Sequence, residues 1–237
     1  DGRAQTRDPQ GQLIGRASAA HQERRTPVRR SAFRHLPDSQ MKSICIYCGS
    51  NAGNKPVYAE RAKALGARIA SEGLQLVYGG GNVGLMGIVA DAVLANGGEV
   101  VGVIPEQLVQ WEVAHKGVTR LEVVANMHER KARMFDLADA FVALPGGFGT
   151  LDEMFEMLTW RQLGLGNKPC AFLDVDGFYA PLMGMIDRMV EERFLHADQR
   201  HDLWHGEDID VLFAWMRDYT PAQADKWLDE KRRRELR

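Results

Sequence analysis

Ala140-Phe141-Val142-Ala143-Leu144-Pro145-Gly146-Gly147-Phe148-Gly149-Thr150-Leu151-Asp152-Glu153 decides the reading of this chain. An apolar run of strand length, Ala140–Leu144, runs into a glycine loop, and a helical pattern follows from Leu151 to Leu163. A loop between a strand end and a helix start exposes backbone N–H groups beside the positive end of a helix dipole, which suits a phosphate. Gly146, Gly147 and Gly149 leave room for such an anion to approach the backbone. Glu153 then follows within one turn. Locally, Thr150-x-x-Glu153 also has the spacing of a capping box, with Thr150 as N-cap and Glu153 at N3.

Working outward, strand-like runs occur at Ser43–Tyr47, Leu74–Tyr78, Glu99–Ile104, Ala140–Leu144 and Cys170–Asp174. Helical patterns lie between or after them, at Val57–Ser71, Leu85–Ala95, Met127–Ala138, Leu151–Leu163 and Tyr179–Glu192. This alternation predicts an α/β fold, a Rossmann-like parallel sheet with helices on both faces, in a single domain. The strands are short and continuously apolar, as strands buried on both faces are. Residues 1–40 are rich in Arg, Gln and Ser and carry no apolar period, so they read as a disordered leader ahead of Met41. The domain is expected over 41–195, and 196–237 as a C-terminal helical extension.

Parallel strands place their following loops on one edge, where ligands of such sheets bind. Three loops there carry chemistry: Gly49-Ser50-Asn51, Gly79–Gly87 and Pro145–Glu153. Gly79-x-Gly81-x-x-Gly84 also fits a dinucleotide fingerprint, with Glu106 available for a ribose. It follows the second strand rather than the first, and that reading leaves Pro145–Glu153 without a role. In the helix from Met127, a stripe of Met127, Arg130, Met134 and Leu137 places one arginine among apolar residues. A buried arginine must meet a carboxylate or a ligand anion.

Composition sets bounds. The chain has 237 residues, 45% of them hydrophobic, and a formal net charge of -2, which points to neither a nucleic-acid nor a membrane partner. No apolar run nears the roughly 20 residues of a membrane span. Cys45, Cys48 and Cys170 form no disulfide framework, and a reducing cytoplasmic setting follows. Cys45-x-x-Cys48 has no second half to complete a zinc site and reads as two buried strand residues.

Met127-His128-x-Arg130-Lys131, followed by Pro145-Gly146-Gly147-x-Gly149-Thr150-x-x-Glu153, resembles the LOG family of cytokinin riboside 5′-monophosphate phosphoribohydrolases, often labelled lysine decarboxylases. The resemblance runs from about Met41 to about Leu195 and includes Tyr47–Ser50, Gly79–Gly87 and Asn167-Lys168-Pro169. It implies a Rossmann-like homodimer that cleaves the N-glycosidic bond of a nucleoside 5′-monophosphate without metal or cofactor. The family's catalytic pair falls on Arg130 and Glu153. Its substrate contacts fall on Ser50, Gly81, Arg130, Lys131, Gly146, Gly147, Phe148, Gly149, Thr150, Leu151, Asp152, Glu153 and Thr159, and by a looser match on Glu112. The decarboxylase label lacks a lysine placed to hold pyridoxal phosphate beside an acidic partner. A non-catalytic nucleotide-binding module is the other reading, with Glu153 only a cap.

Overall fold

In the computed structural model, which describes residues 41–110 and 114–221, alternate residues of each central strand go to opposite sides of one sheet. The strands are β1 (Ser43–Tyr47), β2 (Gln75–Tyr78), β3 (Val100–Pro105), β4 (Arg120–Val124), β5 (Ala140–Ala143), β6 (Cys170–Leu173) and β7 (Trp204–Gly206). The helices are α1 (Pro56–Ser71), α2 (Gly84–Ala95), α3 (Glu106–Gln110), α4 (Met127–Leu137), α5 (Phe148–Gln162), α6 (Ala180–Glu191), α7 (Ala197–His201) and α8 (Ile209–Asp218). The sheet runs β4-β3-β2-β1-β5-β6-β7, and every pairing is parallel.

On one face, Ile44, Ile46, Leu76, Tyr78, Val142 and Leu173 pack with Leu65 and Ile69 of α1, Leu85 and Val89 of α2, and Leu212 and Phe213 of α8. On the other, Cys45, Tyr47, Val77, Phe141 and Phe172 meet Met134 of α4, Met154 and Met157 of α5, and Met183 and Ile186 of α6. Burial on both faces accounts for the unbroken apolar character of these strands. The same alternation sends Cys45 and Cys48 to opposite faces, so the C-x-x-C spacing cannot make one site.

Two strands escaped the sequence reading. β4 is an edge strand whose Arg120 and Glu122 break the apolar run, and Glu122 holds Arg133 of α4 at 2.6 Å. β7 is three residues long. It lies within the stretch expected to be a helical extension from residue 196, yet it pairs with β6 in the same sheet. α8 likewise buries Leu212, Phe213 and Met216 in the core, so the fold does not end at residue 195. The Pro145 loop therefore follows the fifth strand, not the fourth. The expected leader 1–40, Glu112 and the part of the expected helical extension beyond Pro221 lie outside the described residues.

Candidate active site

The chain winds outward from β1 to β4 and then returns to place β5 on the other side of β1. The carboxyl ends of β1 and β5 thus flank the topological switch point, where open α/β sheets open a crevice for ligands. The loops that leave these two strands are joined by their backbones. The Gly49 N–H donates to the Pro145 carbonyl at 3.1 Å, and the Gly49 carbonyl accepts from the Leu85 N–H of α2 at 3.0 Å. One residue therefore ties all three glycine loops together.

α5 starts at Phe148, with Gly147 as its N-cap and no side chain capping it. The capping box expected at Thr150 and Glu153 does not form: Thr150 is the third residue of the helix and Glu153 the sixth. The first-turn N–H groups are thus left without a side-chain acceptor at the positive end of the dipole. A Cβ placed on Gly147 or Gly149 would meet nothing within 4 Å, so the loop borders open space. Gly146 differs, since a Cβ there would lie 2.1 Å from Thr150 Oγ1. Its smallness serves the packing of the loop on its own helix.

Arg130 of α4 and Glu153 of α5 face each other below this loop, 3.2 Å apart between Nη2 and Oε1. Arg130 is 8% exposed and Glu153 7%. Among the described residues the guanidinium is far from saturated: Nη1 reaches only Met127 Sδ at 3.6 Å, and Nε is buried without a partner. A buried donor with no acceptor is costly unless a ligand fills the gap. Burial pushes the Glu153 carboxyl above its ordinary value of 4.5; Arg130 opposes that shift, while nearby Asp152 reinforces it. The pair can therefore hold an anion and present a carboxylate to a developing positive charge.

Lys131 is directed elsewhere. Its Nζ lies 3.2 Å from Asp152 and 3.1 Å from Glu156, clasping α4 to α5. Desolvation works to lower the Lys131 ammonium, but the two carboxylates prevail and raise it. Ser50 is exposed on the β1 loop, and Gly81 bridges to Ala114. Phe148 is 92% exposed at the start of α5, whereas Thr150 is buried. Leu151 turns its side chain into the core, and only its backbone faces the loop. Thr159 is not brought to the pair: it is exposed about two turns along α5 from Glu153, and its hydroxyl donates to the Phe155 carbonyl.

Two supporting contacts were missed from the sequence. Glu156 sits one turn beyond Glu153, and its i+4 spacing from Asp152 was the available signal for a two-pronged grip on a lysine. Tyr179 donates its hydroxyl to the Leu144 carbonyl at 2.7 Å, directly ahead of Pro145, and no local pattern announces this.

Comparison with known proteins shows the family. Residues 86–213 match the family model described as "Possible lysine decarboxylase". A probable cytokinin riboside 5′-monophosphate phosphoribohydrolase of Oryza sativa subsp. japonica is 46% identical over 189 residues, 80% of this chain and 85% of the relative. A cytokinin riboside 5′-monophosphate phosphoribohydrolase of Arabidopsis thaliana is 45% identical over 184 residues, 78% of this chain and 86% of the relative. The chain belongs to the cytokinin riboside 5′-monophosphate phosphoribohydrolase family. Two lysines of the matched region are engaged within the protein, Lys131 by two carboxylates and Lys168 by the Phe135 carbonyl at 2.5 Å. Among solved structures, the molybdenum cofactor binding protein of Rippkaea orientalis shares the fold, with a TM-score of 0.57 and 21% identity over 74% of this chain and 97% of that one.

Proposed function

We propose that this member of the phosphoribohydrolase family hydrolyses the N-glycosidic bond of a nucleoside 5′-monophosphate, a cytokinin riboside 5′-monophosphate or AMP, to free base and ribose 5-phosphate. The observation that carries the proposal is the buried Arg130–Glu153 pair beside the uncapped start of α5, at the switch point of the sheet. The N–H groups of the Gly147–Thr150 turn hold the 5′-phosphate. Binding energy from that remote group positions the ribose over Glu153. As the C1′–N bond breaks, its electron pair leaves with the base and C1′ gains oxocarbenium character. The Glu153 carboxylate stabilises that charge and orients a water whose oxygen bonds to C1′. One water proton remains on the new hydroxyl, and the other balances the departing base. Arg130 contacts the nucleotide and holds Glu153 in register through a planar fork that lysine does not reproduce.

Substrate contacts are further assigned to Ser50, Gly81, Glu112, Lys131, Gly146 to Asp152 and Thr159. Thr159, exposed along α5 away from the pair, suits a contact across a second copy of the chain better than the pocket floor. We assign a homodimer as well. Leu163, Leu165, Met185 and Phe194 are exposed apolar side chains on or beside α5 and α6. Trp215 of α8 packs on the opposite face of the sheet and does not cover them. No helix among the described residues is long and apolar enough to cross a membrane. With Cys45, Cys48 and Cys170 free, this fits a reducing cytoplasmic setting.

The test is incubation with AMP, isopentenyladenosine monophosphate and their nucleosides, with chromatography for free base. Base is expected from the monophosphates alone. Equal turnover of adenosine and AMP would remove the phosphate cradle from the argument, and no base from any of them would leave a nucleotide-binding module.

A further inference from the structure

Gly79 is the first residue after β2, and its fingerprint motif is not accounted for by the proposed phosphate cradle. It is buried, and the three atoms nearest to a Cβ built on it all belong to the Arg130 guanidinium: Nη2 at 1.9 Å, Cζ at 3.0 Å and Nε at 3.5 Å. Its φ lies outside the left-handed range, so the backbone itself accepts any residue there. What the position does not accept is volume. Gly84, the last glycine of the same fingerprint, is also spent on the protein: its φ is +57°, and a Cβ would lie 2.3 Å from the Ser50 carbonyl carbon.

We propose that Gly79 is a positioning residue for the hydrolysis, the seat that lets the Nη2 end of the Arg130 guanidinium come against the end of β2 and face Glu153. The inference rests on the reading of Arg130 as part of the reacting site. Three elements make the arrangement. α4 supplies the arginine, β2 supplies the floor, and α5 supplies the carboxylate at 3.2 Å. A guanidinium end brought this close leaves no room for a Cβ, and a glycine at a strand end offers bare backbone. A methyl group at Gly79 displaces the guanidinium, because backbone cannot yield and a flexible side-chain terminus can. Displacement separates Nη2 from Glu153 and leaves both ions buried and misaligned. Two glycines of the fingerprint are thus kept for the protein's own packing, Gly79 for Arg130 and Gly84 for the Ser50 backbone.

The test is a double-mutant cycle on the full chain with Gly79→Ala, Arg130→Ala and the pair, read by urea unfolding and by steady-state turnover of the monophosphate. Gly79→Ala is expected to lower kcat by about 10²-fold, as an ångström-scale misplacement of a reacting group does, with KM changing less. It is also expected to lower the unfolding midpoint in the presence of Arg130 and to lower it no further in the Arg130→Ala background, where the methyl group enters vacated space. If Gly79→Ala alone fails to fold, recovery of folding in the double variant supports the seat. An equal drop in both backgrounds, or wild-type kcat in Gly79→Ala, overturns it. Wild-type turnover by Arg130→Ala would instead overturn the reading of Arg130, while the unfolding cycle would still report on the seat.

Discussion

Glu153→Gln separates a catalytic carboxylate from a structural one. The change keeps the size and shape of a side chain that is 7% exposed. Glu153 is the sixth residue of α5 and caps nothing, so no helix-end contact is lost. Two effects on stability oppose each other. The amide oxygen still accepts from Arg130 but no longer carries charge, a loss of about 1–2 kcal/mol for one hydrogen bond. Against that, burial already disfavours the ionised carboxyl, and a neutral amide escapes this penalty. The net change is therefore at most about 2 kcal/mol, or about 4–8 °C in Tm for a domain of this size. The barrier responds differently. Loss of a preorganised group facing developing charge costs about 3–4 kcal/mol, so kcat falls about 10²–10³-fold. Chromatographic assay of released base at saturating nucleotide, with calorimetry on the same samples, gives both numbers. A kcat within tenfold of wild type in a folded variant would refute the reasoning, because no other carboxylate is paired with Arg130 among the described residues.

Burial raises the Glu153 carboxyl, so the acidic limb of kcat should lie above the ordinary glutamate value of 4.5 and vanish in what activity Glu153→Gln retains; a limb at or below 4.5 would contradict this. Linkage gives the stability sign: the contribution of Glu153 is full below 4.5 and is lost as pH rises through the raised value, so Glu153→Gln should gain on wild type in urea melts over that window. A chain starting at Met41 should melt and turn over as the full chain does, because the Lys42 and Ser43 N–H groups that open β1 are already held by Asp139 Oδ2 at 2.9 and 3.1 Å. Light scattering at micromolar concentration should give twice the chain mass, and an active monomer would remove the shared-interface argument.

The central strands and the helices α1, α2, α4, α5 and α6 were legible because burial on both faces leaves an unbroken apolar run and each helix keeps its period. β4 was not, since an edge strand with one solvated side tolerates Arg120 and Glu122. β7 is too short to show a pattern. The glycine loops were legible as a shared edge, but not the division of labour among them. Gly147 and Gly149 border open space, whereas Gly49, Gly79, Gly84 and Gly146 make room for other parts of the protein. A glycine kept for a ligand and one kept for a neighbour look alike in a sequence. The same blindness made Glu153 resemble a cap, because the true helix start at Phe148 depends on where β5 ends.

Gly49 carries a consequence for how such a site changes over time. Both of its backbone groups are engaged, one by each neighbouring loop, and a side chain there would strike the Asn51 carbonyl at 2.8 Å. The floor of the crevice is thus built from main chain, which most substitutions leave untouched. Drift in preference from one base to another has little purchase on that floor. It must work through exposed side chains such as the 92% exposed Phe148, which can vary without moving the reacting pair. A lineage of such enzymes can explore new bases while the same sugar phosphate stays anchored.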